Sequence, residues 1–346
     1  MTFRYIGSKA RIVDLIAAQI GPPRGSNRFV DLFCGTGAVA EAAARLGWDV
    51  HLNDQMHCAV AMAGGRLVTS HQAKFRELGG YLATIQTLNS LPPRPGFIYS
   101  EYSPASLGRV GFERRYFTED NAARIDAMRR QIEIWAKGQI ICDSEKTLLI
   151  ADLLSATNRV ANTAGTYGCF LSKWQKQAQE PILLRARELF VGKGVVSISV
   201  QDAKECPVNP TDLVYVDPPY TKRQYASYYH ILETITLGDE PIVEGVAGLR
   251  PWRDKASDFC YRTRALRAFT ELVECLEAQR LLISYSDDAH IDIDALAGAL
   301  RAFGSVVPLQ LMDIGRYRPN RTASAAAASV SEYLIQLDRK LMKAAA

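Results

Sequence analysis

Asp217-Pro218-Pro219-Tyr220 directly follows the apolar run Leu213–Val216. These residue types, in this order, suit chemistry on an exocyclic amino group. Such an amino group on adenine is a poor nucleophile, because its lone pair is delocalised into the ring. Two acceptors aimed at its two N–H bonds hold the nitrogen nearer a tetrahedral geometry and expose the lone pair. The Asp217 carboxylate supplies one acceptor and the Pro218 carbonyl the other. Pro218 and Pro219 each fix φ and so stiffen the turn that aims both. Tyr220 offers an aromatic face on which a base drawn out of a duplex can stack. The rate gain in such a site comes from positioning and electrostatics rather than from a covalent intermediate. The pairs Pro22-Pro23 and Pro92-Pro93 lack this acid-before, aromatic-after setting and read as ordinary loops.

A second group lies upstream. Asp31-Leu-Phe-Cys-Gly35-Thr-Gly37-Ala closes a strand and opens a helix. Gly35 and Gly37 let backbone approach a ligand at the carboxyl end of that strand. Asp54, at the end of the following strand, is placed to accept hydrogen bonds from ribose hydroxyls. The unit reads as a site for an adenosine-containing cofactor. The spacing fits NAD as well as S-adenosylmethionine, and a tight turn without a ligand has the same outline. Asp31 leans toward S-adenosylmethionine, since a carboxylate at the strand end pairs with a ligand ammonium that NAD lacks.

The elements that must carry these groups follow from pattern. Ser8–Ile20 has helical spacing, with Ser8 as N-cap and Gly21 as stop. Arg28–Cys34, Trp48–Asn53, Val195–Val200, Leu213–Val216 and Leu281–Tyr285 read as strands, and Ala38–Leu46 as a helix ended by Gly47. Strand, glycine turn, helix and strand make a βαβ unit, hence an α/β fold with a parallel sheet. Residues 66–190 break that alternation with long helical stretches and read as an inserted, mainly helical region between catalytic segments 1–65 and 191–346. An amphipathic helix is expected over Ile291–Phe303. The chain then ends in a hairpin of Ser305–Ile314 and Tyr333–Leu337, joined by a polar loop that includes the alanines at 325–328.

Composition narrows the class. The 346 residues are 48% hydrophobic and 23% charged, with a formal net charge of +4. These values exclude a mostly disordered chain, a collagen and a coiled coil, and they permit nucleic-acid binding. No apolar run reaches the length of a membrane span and no signal peptide is evident, so a cytoplasmic protein is expected. The seven cysteines have no metal-site spacing and read as free thiols, so the chemistry calls for no metal.

Phe3-Arg-Tyr5-Ile-Gly7-Ser-Lys9, then DLFCGTG, then DPPY occur in one order along the chain. In this the chain resembles the alpha-group N6-adenine-specific DNA methyltransferases, which include the DNA adenine methylases and many restriction-modification methylases. The resemblance implies a Rossmann-like S-adenosylmethionine-dependent methyltransferase sheet with the helical insertion as target-recognition region. It implies methyl transfer from S-adenosyl-L-methionine to the N6 amino group of adenine in double-stranded DNA after base flipping. It allows a cognate restriction endonuclease as partner. By similarity, Tyr5 packs on the cofactor and Lys9 binds its carboxylate or nearby groups. Asp31, Gly35 and Gly37 match the cofactor loop, Asp54 the ribose acid, and Asp202 an acid that accepts from the cofactor's adenine amino group. Asn162–Trp174 resembles a Gly- and aromatic-rich segment near the target base.

Basic residues cluster at 159–193, 250–267 and 314–331, where Arg316, Arg318 and Arg321 fall. Each excess suits phosphate contacts. Within the insertion, Arg114, Arg115, Arg129 and Arg130 have the side chain that reads guanine edges. Tyr225, Tyr228 and Tyr229 suit support of a flipped base or filling of the gap it leaves, and core packing fits two of the three at least as well. Competing readings are the same chemistry on adenine in RNA, N4-cytosine methylation (where Ser usually replaces this Asp), an NAD-dependent oxidoreductase, and a non-catalytic DNA-binding protein. The basic loop Thr221-Lys222-Arg223-Gln224 departs from the DNA adenine methylases and puts their recognition sequence in doubt.

Overall fold

The computed structural model describes residues 6–7, 9–23, 28–315 and 329–339. Tyr5, Ser8, Arg316, Arg318, Arg321 and the alanines at 325–328, each singled out above, lie outside the described residues. Seven strands among the described residues form one sheet: β1 (Arg28–Asp31), β2 (Asp49–Asp54), β3 (Val196–Val200), β4 (Leu213–Val216), β5 (Arg280–Ser286), β6 (Gly304–Gly315) and β7 (Ser329–Arg339). Their order is β3-β2-β1-β4-β5-β7-β6, with β1 to β5 parallel and β7 antiparallel to both β5 and β6. The chain order reverses between β1 and β4, and in such sheets the crevice beyond the carboxyl ends of those strands takes the ligand. Register sets Asp31 at the end of β1 beside Tyr215 of β4, two residues before Asp217.

The helices are α1 (Val13–Ile20), α2 (Ala38–Arg45), α3 (His57–Arg66), α4 (Tyr81–Asn89), α5 (Phe97–Tyr102), α6 (Leu107–Val110), α7 (Glu119–Lys137), α8 (Asp143–Val160), α9 (Tyr225–Tyr228), α10 (His230–Leu237), α11 (Ala265–Cys275) and α12 (Ile293–Leu300). Alternate residues of β1 and β4 are buried on opposite faces, as a parallel sheet covered on both sides requires. Val30, Val214 and Val216 pack with α11 and α12, while Phe29, Leu213 and Tyr215 pack with α1 and α2. The expected helix from Ser8 begins only at Val13, after a tight turn over Lys9–Arg11. Lys9 is turned inward and buried there, which draws the first turn away from regular helix. β1 ends at Asp31 rather than Cys34, although the Leu32 and Cys34 amides still bond the Tyr215 carbonyl of β4 and the Asn53 carbonyl of β2.

Between residues 66 and 190 stand α4 to α8 and no named strand. A parallel bridge joins Thr69 to Phe190, so the two ends of this stretch meet. The stretch has no core of its own: Met62 of α3, Leu88, Ile132, Leu149 and Ile231 of α10 belong to one buried cluster. Two of the arginines offered for DNA reading are internal. Arg129 donates to the carbonyls of Ile235, Thr236 and Leu237 at the end of α10. Arg114, 2% exposed, pairs with the buried Glu101 at 2.7 Å and donates to the carbonyls of Val246 and Gly245. They hold the helical stretch to the segment after the DPPY turn and cannot reach a duplex. Removing one partner of such a pair leaves an uncompensated buried charge, so Arg114→Ala is expected to cost about 3–5 kcal/mol. Urea denaturation checks this, and a midpoint within error of the parent would overturn it.

Candidate active site

A cavity opens at the carboxyl ends of β1, β2 and β4. Ile6, Gly7 and Lys9 wall it on one side, residues 31–36 and Asp54–Met56 on another, and Tyr215, Asp217 and Pro219 on a third. Gln224, Tyr225, Lys255 and Ser257 complete the lining. The glycine turn is held to β2 by side chains. Asp54 accepts from the Gly35 amide at 3.1 Å and from the Met56 amide at 2.9 Å. The buried Asn53 donates to the carbonyls of Leu32 and Gln201 and accepts from the Ser199 hydroxyl, joining the ends of β1, β2 and β3.

The three strand-end carboxylates of the sequence motifs thus share one cavity. Burial pushes Asp54 up to about 6, against the Met56 and Gly35 amides that pull it down. Burial also pushes Asp217 up to about 6, against the attraction of Lys9. Asp31 is 2% exposed, and burial with the charges of Asp217 and Asp54 holds it well above the usual carboxylate range. Its Oδ1 has no hydrogen-bond partner among the described residues. A buried, partnerless carboxylate oxygen in a cavity wall is costly by itself and suits a ligand cation.

Lys9 sits inside this group. Its Nζ lies 3.3 Å from Asp217 Oδ1 and 3.2 Å from Glu332 Oε2, and donates to the Tyr220 hydroxyl at 3.1 Å. It also stands over the Tyr220 ring, 4.9 Å from the centroid. Burial works against the ammonium, but Asp217, Tyr220 and Glu332 together raise its pKa well above normal. Tyr220 meets Tyr285 edge-on at 5.6 Å, and burial pushes its hydroxyl up to about 12.

The other expected residues are placed differently. Asp202 does not line the cavity, although Gln201 and Ala203 do. Its carboxylate caps the turn at Lys204 and accepts from Gln55 at 2.7 Å, so it reaches the wall only through Gln55. Gly37 also stands outside the lining. At φ +76°, a Cβ there would come within 2.6 Å of the Ala63 Cα, so this glycine serves the approach of α2 to α3. Pro218 is buried behind Pro219 and outside the lining. Tyr225 and Tyr229 hold the N-terminal segment down: the Tyr225 hydroxyl donates to the Ile6 carbonyl at 3.0 Å, and the Tyr229 oxygen accepts from the Ile6 amide at 2.7 Å. In the 162–174 segment, Asn162 bonds the Arg115 and Leu171 carbonyls internally, and the buried Tyr167 packs under α10.

Several functional contacts carry no motif. Gln224 and Ser257 bond reciprocally through the Gln224 amide, at 3.0 and 2.8 Å. Glu233, 1% exposed, accepts from the amides of His57 and Cys58 at the start of α3 and from Lys255 at 2.9 Å. Burial opposes its charge, yet the His57 imidazole, at 2.9 Å, with Lys255 and the Cys58 amide, holds its pKa down at about 2. Lys255 in turn donates to the Gln55 carbonyl. Only chain reversal brings these groups together, and the cue available in the sequence was the cluster of polar residues after DPPY.

A carboxylate turn of DPPY type, a glycine turn and an orphaned acid on one cavity meet an independent finding. Residues 5–287 match the model of the D12 class N6 adenine-specific DNA methyltransferases. The chain belongs to that family. The methyltransferase is 31% identical over 342 residues to the type II methyltransferase M.NlaIII of Neisseria lactamica, covering 97% of this chain and 99% of that protein. It is 30% identical to M.CviAII of Paramecium bursaria Chlorella virus 1, covering 95% and 96%. It is 29% identical to M.FokI of Planomicrobium okeanokoites, where 98% of this chain spans 53% of the relative. It therefore runs the length of the first two and about half of the third. The methyltransferase acts site-specifically on adenine in DNA and uses a methyl donor. Neither an RNA acceptor nor nicotinamide chemistry finds support among these relatives.

The orphaned Asp31 yields a test of the ligand-free protein. Its pKa is raised by folding, so its charge costs stability above the unfolded carboxylate pKa, near 4, and the cost vanishes below it. Asp31→Asn is expected to raise the unfolding free energy by about 1 kcal/mol or more at pH 7, with the gain gone by pH 4. Denaturant titration at both pH values reads this; a loss of stability at pH 7 would sink it.

Proposed function

We propose that the methyltransferase transfers a methyl group from S-adenosyl-L-methionine to the N6 amino group of an adenine flipped out of duplex DNA. The observation that carries this reading is the meeting of Asp31 and Asp217 on one cavity, the first with an unpartnered oxygen. Asp31 would hold the ammonium of the donor, Asp54 its ribose, and the glycine turn at Gly35 its backbone-facing edge. Lys9 and the segment held by Tyr225 and Tyr229 would close over it, and Tyr5 would pack on it in the family manner. When bound, the donor supplies an electrophilic methyl group on a sulfonium.

The remaining work falls to the chain. Asp217 and the Pro218 carbonyl accept the two amino N–H bonds and turn the nitrogen lone pair toward the methyl group. Pro219 stiffens the turn, and Tyr220 shapes the floor on which the base rests. Asp217 must be ionised to accept both strongly and without competition from its own proton. With its pKa at about 6, activity is expected to fall as pH drops through 6.

Residues 66–190 would form the target-recognition region, with residues 1–65 and 191–346 as the catalytic part. Arg130 and Arg185, both exposed, are suited to meet DNA. A cognate endonuclease is the natural partner, since the relatives bear type II methyltransferase and modification methylase names. We assign the protein to the cytoplasm. No helix among the described residues is long and apolar enough to cross a membrane.

The decisive experiment is expression in a bacterial host lacking N6-methyladenine, followed by nucleoside mass spectrometry and single-molecule sequencing. N6-methyladenine at one recurring motif is expected, and Asp217→Ala should reduce it at least about 100-fold. Unmodified DNA from folded protein that binds S-adenosylmethionine would refute the DNA reading and direct the search to RNA.

A further inference from the structure

We propose that Glu332 of β7 is a positioning residue of the methyl-transfer site, acting through Lys9 to keep the Asp217 carboxylate available to the target amino group. This rests on Asp217 as the acceptor of the amino N–H. A lysine ammonium has three donors, and Lys9 has three oxygen partners: Tyr220 Oη at 3.1 Å, Glu332 Oε2 at 3.2 Å and Asp217 Oδ1 at 3.3 Å. Lys9 is 5% exposed, and the side chains of Asp217 and Glu332 are 14% and 13% exposed. Water is a poor substitute for any of the three.

Topology explains why the third partner comes from β7. That strand runs antiparallel to β5, and Glu332 pairs in register with Ser286, the last residue of β5. Its first half therefore returns to the carboxyl end of the parallel strands, where the motif acids stand. Glu332 is outside the DPPY turn, the glycine turn and the stretch matched by the family.

The consequence is a division of charge. With Glu332 present, one ammonium is shared between two carboxylates, and Asp217 keeps acceptor strength for the substrate. Without it, an N–H of Lys9 loses its partner and the ammonium pairs with Asp217 alone. That shortens the ion pair and ties up the oxygens the amino group needs. The groups facing Asp217 are Lys9 from the N-terminal segment, Tyr220 from its own turn, Tyr215 of β4, Asp31 of β1, Tyr225 of α9 and Glu332 of β7. Among them Glu332 pushes the Asp217 pKa up and Lys9 pulls it down.

The test is the pH profile of kcat for Glu332→Gln on duplex DNA, with KM for S-adenosylmethionine measured alongside. We expect kcat at pH 8 to fall about 10- to 100-fold with KM changed less than about threefold, and the acid limb to move to lower pH. Glu332→Asp, which keeps the charge but draws it back, should lower kcat less and move the limb the same way by less. It decides the matter if Glu332→Gln does not fold. A limb that stays in place in the folded variant, with or without loss of rate, would overturn the proposal and leave Glu332 a structural residue. Full activity of Asp217→Ala would instead remove the acceptor reading on which it rests.

Discussion

Carboxylates buried in a low-dielectric site are the constraint that organises this molecule. Asp31, Asp54 and Asp217 stand at the ends of adjacent strands and each is held above its ordinary pKa. Burial is the main cause for all three, and at Asp31 the charges of Asp217 and Asp54 add to it. Much of the local structure answers it. Asp54 is balanced by two backbone amides, Asp217 by Lys9, and Asp31 by a single amide that leaves one oxygen bare. The protein thus carries an unsettled charge where the proposed function places a cationic ligand, a local cost of the kind functional sites accept.

The same logic separates two kinds of buried ion pair here. In Arg114–Glu101 and Lys255–Glu233 each buried carboxylate meets at least one cation. They fasten the helical stretch and α3 to the segments after DPPY. Lys9 belongs to a different kind, since its anionic partners outnumber it. Charged residues that look alike in sequence therefore divide by environment into fasteners and working parts.

What could be read from the chain follows the range of the interactions. The parallel strands, the glycine turn and the DPPY turn are local patterns, and Asp31, Asp54 and Asp217 fall where those patterns put them. Boundaries shifted where tertiary contacts intervened, as at Lys9–Arg11. The roles of Lys255, Gln224, Glu233 and Glu332 carried no motif, because each is defined by partners distant in sequence. Arg114 and Arg129 misled for the converse reason: composition records a guanidinium and says nothing of the carbonyls that capture it. Asp202 follows the end of β3 by two residues, and its carboxylate turns to its own cap and to Gln55.

The contact between Lys9 and Glu332 spans 323 positions of the chain. Closing so long a loop costs entropy that must be recovered late. As the polypeptide emerges from the ribosome, the glycine turn and the DPPY turn can take shape long before β7 has been made. The Asp217 carboxylate then faces an ammonium that has only two of its three partners. A chain without β7 would leave the Lys9 ammonium with two of its three oxygen partners.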